Sequence, residues 1–71
     1  MSELIFEVSE AEEGGYWAKA LGESIFTEGD TWVELKNNIL EAVNCHFFDR
    51  QKPPMVRLHL VRDELVAVAT A

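Results

Sequence analysis

A chain of 71 residues is expected to make one domain, 1–71, which hides only about 60% of the surface its unfolded form exposes and is therefore marginally stable. Its 13 Asp and Glu against 6 Lys and Arg give a formal net charge of −7, which repels nucleic-acid phosphates and attracts basic partners. The single cysteine excludes an internal disulfide, and two histidines beside it do not make a metal-ligand array, so self-association is the expected source of added stability.

The N-terminal MSELIFEVSEAEE has no basic region and no long apolar core, so no signal peptide is read there. No apolar run approaches the roughly 20 residues that span a bilayer. Together with a lone free thiol, this points to the cytoplasm and away from membranes.

Residues 3–8 alternate as a strand, with Leu4, Phe6 and Val8 on one face and Ile5 and Glu7 on the other. An acidic loop, 9–14, leads to Gly14-Gly15, which suits a hairpin turn. The second strand, 16–21, places Tyr16, Ala18 and Ala20 on one face, and Trp17, Lys19 and Leu21 on the other. Gly22 breaks it, and 24–28 reads as a short third strand.

A helix starts at Gly29-Asp30-Thr31. Thr31 is a good N-cap, Glu34 three residues on completes a capping box, and Asp30 adds negative charge at the positive end of the helix dipole. Trp32, Leu35, Ile39, Ala42, Val43, His46 and Phe47 form one apolar stripe. The helix is expected to end near Phe48, before the loop carrying Pro53-Pro54.

Residues 55–61 alternate again: Val56, Leu58 and Leu60 against Arg57, His59 and Val61. The polar Arg62-Asp63-Glu64 is a candidate turn, and 65–69 is either a fifth strand or an ordered tail. The fold class is therefore α+β: a three-stranded antiparallel meander, one amphipathic helix on one sheet face, then one or two C-terminal strands. About 17 helical residues give roughly 25 Å, enough to cover one face. The other face stays open, and Ile5, Trp17, Lys19, Leu21 and Val61 are its candidate residues for an oligomer or partner interface. For Trp17, interface and core are equal alternatives; Trp32 reads rather as packing.

Catalytic chemistry finds little support. Glu7, Glu28 and Asp63 are nominal carboxylates for a metal-dependent nuclease, but the two glutamates are explained as solvent-facing strand residues. Cys45 and His46 are neighbours on a helix and point about 100° apart, which does not aim a base at a thiol. His59 reads as a surface or interface residue. The expectation is no enzyme, no cofactor and no metal.

The order of elements, Gly15-Tyr16 entering the second strand, Ala18 two residues on, and Gly29-Asp30-Thr31 with Glu34 resemble the HicB-like antitoxin family over roughly residues 4–61. The resemblance implies a partial ribonuclease-H-like fold. It also implies a non-enzymatic module that binds and neutralises a small basic mRNA-cleaving toxin, a protein of double-stranded-RNA-binding type, by charge complementarity. Ala20 and Leu21 stand where the family often has proline. Many members carry a C-terminal DNA-binding domain; this chain ends at Ala71, so no direct nucleic-acid binding is expected. The alternative is an orphan HicB-like homo-oligomer, dimer or tetramer, with a structural or regulatory role and no toxin.

Overall fold

A computed structural model describes residues 3–69. Strands β1 (Glu3–Glu10), β2 (Tyr16–Ala20) and β3 (Phe26–Gly29) are followed by helix α1 (Trp32–His46) and strand β4 (Met55–Val61). They form one four-stranded sheet of order β3-β2-β1-β4, an α+β fold. The meander β1–β2–β3 is antiparallel, whereas β4 runs parallel to β1. The helix causes this parallel pairing. It carries the chain from β3 at one edge back to the end where β3 began, so β4 enters the far edge in the direction of β3 and β1.

Period-two alternation then sorts the side chains. Leu4, Phe6 and Val8 of β1 and Ala18 and Ala20 of β2 face the helix and are buried together with Ile25, Leu35, Ile39, Val43 and Phe47. The two alanines keep the sheet surface low beneath the helix stripe. Tyr16 meets Trp32 edge-on, ring centroids 5.4 Å apart, which fastens the start of β2 to the first turn of α1. Trp32 is thus a packing residue.

Two glycines are required where β3 passes into α1. Gly15 has φ +85°, and a Cβ there would lie 2.9 Å from the Gly29 carbonyl oxygen. At Gly29 a Cβ would lie 2.6 Å from the Leu35 backbone nitrogen. The reason for this glycine is therefore close approach of the helix backbone, since its own φ is not positive. Thr31 caps α1 as expected: its Oγ1 accepts the Glu34 N–H at 3.1 Å. The Glu34 carboxylate, however, reaches back to the Asp30 N–H at 3.0 Å, one residue before the cap. Asn38 Nδ2 donates to the Glu28 carbonyl at 2.7 Å and ties the helix to β3.

Several boundaries differ from the sequence reading. β1 runs on to Glu10, taking Ser9 and Glu10 from the expected loop, and β2 ends at Ala20 rather than Leu21. β3 begins at Phe26 rather than Ser24, because Ile25 turns into the core and its carbonyl accepts the Ala20 N–H at 3.0 Å. The helix ends at His46, with Phe47 as C-cap donating to the Val43 carbonyl; Phe48 lies outside and is exposed. Residues 62–64 make no turn and 65–69 no strand. Of the two alternatives for 65–69, the tail is the one found. Its apolar side chains are largely open to solvent: Leu65 is 101%, Val66 68% and Val68 88% exposed.

The helix backbone runs closest to β3 and β2 and farther from β4. Val56 and Leu58 are accordingly only half-buried, and Leu60 is exposed. No helix among the described residues is long and apolar enough to cross a membrane.

Candidate functional site

The sheet face turned away from α1 has no helix on it, and the strand register arranges it in rows. Glu28, Trp17, Ser9 and Val61 lie side by side across the four strands. Phe26, Lys19, Glu7 and His59 form the next row, and Ile5 stands beside Arg57 in a third. Leu21 joins that third row through its N–H, which donates to the Ile5 carbonyl at 2.9 Å. Ile5, Trp17, Lys19, Leu21 and Val61 thus share the open face.

Phe26 belongs with them and was not singled out from the sequence. Its ring stacks on Trp17, centroids 5.9 Å apart and planes 20° from parallel. That neighbour is visible only once the bend at 21–25 sets the register of β3 on β2. Phe26 is 63% exposed, so the pair offers an aromatic platform rather than a buried core.

The charge is concentrated elsewhere than on this face. Two adjoining shallow clefts, of ≈ 490 and ≈ 300 Å³, lie where the β1–β2 loop meets the start of α1. Their walls carry six carboxylates: Glu10, Glu12, Glu13, Glu28, Asp30 and Glu34. A helix N-terminus ordinarily favours anions. Here Thr31 Oγ1 accepts the Glu34 N–H and the Glu34 carboxylate accepts the Asp30 N–H, and the surrounding carboxylates make the end of the molecule a place for cations. Arg62 answers one of them, Glu10, at 3.4 Å. Glu28 belongs to both regions: it lines the second cleft and pairs with Trp17 in the sheet. The acidic end and the aromatic platform are therefore continuous.

The remaining candidates stand apart. Glu7 and Glu28 lie in different rows on non-adjacent strands, and Asp63 lies beyond β4 in a cleft with Ser9 and Val61. Among the described residues no three His, Cys, Asp or Glu side chains gather as metal ligands would. Cys45 is exposed, and His59 is exposed on the open face. His46 points to Glu23: its Nε2 lies 2.9 Å from Glu23 Oε1, and Arg50 Nη2 reaches the same oxygen at 3.2 Å.

The hydrogen bond from His46 holds the Glu23 carboxyl below its ordinary 4.5, against partial desolvation, and Arg50 adds to the effect. A carboxylate whose folded-state pKa is depressed contributes stability that is full above its unfolded value. That contribution is lost as pH falls through the folded value. Thermal melts of the wild type should therefore fall in Tm as pH drops below about 4.5. Glu23→Gln should show a shallower fall in the same window. Parallel curves would mean that this cluster does not couple to folding.

Comparison with known proteins places the chain. It is 47% identical over 66 residues to a UPF0150 protein of Thermotoga maritima, covering 93% of each chain. A UPF0150 protein of Archaeoglobus fulgidus is 44% identical over 52 residues, 73% of this chain and 77% of its own. The chain belongs to the UPF0150 family. A 66-residue match in a UPF0150 chain of 71 takes in β2, β3, α1 and β4 whole. The UPF0150 name states no activity. No family model and no solved structure matches.

Proposed function

We propose that this UPF0150 domain is a non-enzymatic, antitoxin-like binding module that neutralises a small basic mRNA-cleaving toxin. The observation that carries the reading is the continuity of the six-carboxylate end with the Trp17–Phe26 platform through Glu28. A basic protein would be steered by the first and anchored by the second: charge raises the encounter rate, and exposed aromatics supply contact area at low entropic cost. The Gly29-Asp30-Thr31…Glu34 motif of HicB-like antitoxins supports the same reading. Its cap is formed here, and its glycine is required by the fold.

The test is capture of partners by the tagged full chain at low salt. The expected result is a stoichiometric small basic protein whose ribonuclease activity is suppressed in the complex and which is released at high salt. Glu12→Lys with Glu13→Lys should slow association, and Trp17→Ala should weaken binding by about 2 kcal/mol, roughly 30-fold. A partner indifferent to salt and to all three changes would sink this assignment of the surface. Recovery of the bait alone would favour the orphan homo-oligomer, with Trp17 buried between subunits.

A further inference from the structure

The C-terminal tail is the part of the molecule that its own fold does not explain. The radius of gyration is 15.1 Å, against about 11 Å for a compact chain of this length. The long dimension is 61 Å against 25 and 18 Å, as eight residues reaching out about 26 Å beyond β4 would give. The accessible surface is 5569 Å², where a compact 8.1 kDa monomer has about 4,500 Å². The excess, on the order of 1,000 Å², matches the ~800 Å² that one partner contributes to a standard interface.

Leu65-Val66-Ala67-Val68-Ala69 is β-prone, uncharged and apolar on both of its faces. A strand of that kind needs cover on both sides. A place for it exists beside β4. Among the described residues β4 is an edge strand with nothing paired to its outer side. The helix stands off from it, leaving a cleft of ≈ 200 Å³ lined by Leu40, Val43, Pro53, Pro54, Met55 and Val56. Lys52 is the one charged residue on that lining, so the net charge of −7 meets no repulsion there.

We propose that two copies of this chain exchange tails. Residues 65–69 of one copy add as an antiparallel strand along the Met55 end of β4 in the other. Val66 and Val68 continue the parity of Val56, Leu58 and Leu60, which places them on the helix side, over the partner's cleft. The tail does not fill its own cleft because doing so requires reversal within Arg62-Asp63-Glu64. That stretch has no glycine or asparagine, makes no turn, and is held forward by Arg62 on Glu10. The occupant is a second copy because donor and acceptor occur once each in the same chain. One two-fold contact then covers both, whereas a foreign strand would fill the cleft and leave the tail bare. The open face stays free, so the assembly does not depend on any basic partner.

Light scattering on the purified full chain tests this. The wild type should have twice the 8.1 kDa chain mass at micromolar concentration and dissociate on dilution. Val66→Asp with Val68→Asp should halve the mass while retaining the helical circular-dichroism signal. Ala67→Pro, which removes an edge N–H and keeps the segment apolar, should weaken the dimer at least 10-fold. Leu21→Asp on the open face should leave the mass unchanged. Should a tail variant lose its fold, Val56→Cys with Val68→Cys in a Cys45→Ser chain gives an independent reading, since both side chains lie on the helix side of the sheet. Oxidation should yield a covalent dimer on a non-reducing gel. A monomeric wild type, a dimer that survives the tail changes but not Leu21→Asp, or a crosslink confined to single chains would overturn the proposal. None of these results bears on capture of a basic partner by the open face.

Discussion

Replacing Phe6 by alanine is expected to leave this chain with little or no cooperative folding. Phe6 is fully buried on β1, the strand with neighbours on both sides, between Ala20 of β2 and Leu58 of β4. The alanines of β2 cannot expand to fill the space its ring would vacate. Truncation of a buried phenylalanine costs about 3–5 kcal/mol. A chain of 71 residues has about 4–10 kcal/mol in all. In a thermal melt at fixed protein concentration, Tm should fall by more than about 15 °C, or the transition should vanish. Phe26→Ala supplies the contrast, since the same chemical change on the open face should cost under about 1 kcal/mol. Equal effects at the two positions would refute the assignment of inner and outer faces.

Gly29→Ala is the second change with a large expected effect, although it adds a single methyl group. That methyl would lie 2.6 Å from the Leu35 nitrogen and 2.8 Å from the Leu35 Cα. Both are backbone atoms in the first turn of α1, so no side chain can swing aside. The helix must lift away from β3, and Leu35, fully buried, must move with it. Overpacking of this kind costs about 1–3 kcal/mol, and a backbone obstacle puts Gly29 at the upper end. A fall in Tm of about 12–20 °C is expected. Asp30→Ala, one residue on and exposed, should cost under about 1 kcal/mol. If Gly29→Ala melts with the wild type, then helix and β3 do not approach as closely as described.

The two regions of the proposed binding surface were legible to different degrees. Parity alone placed Ile5, Trp17, Lys19, Leu21 and Val61 on one face, because period-two alternation belongs to each strand separately. The acidic composition was plain, but its gathering at one end was not. Glu10, Glu12 and Glu13 come from the end of β1 and the loop after it, whereas Glu28, Asp30 and Glu34 arrive from the β3–α1 junction. Only the pairing of β2 with β3 brings those stretches together. Phe26 escaped notice for the same reason.

What the sequence determined by itself is local. Alternation defined β1, β2 and β4, and Thr31 with the stripe from Trp32 to Phe47 defined α1, because these signals act through neighbours within one or two turns of chain. The tertiary structure alone decided the parallel placement of β4 beside β1 and the offset of the helix toward β3. It decided the contact that demands glycine at 29, and left the apolar tail without cover. Each of these depends on which segments meet across long stretches of chain, and no periodicity within one segment records its partner.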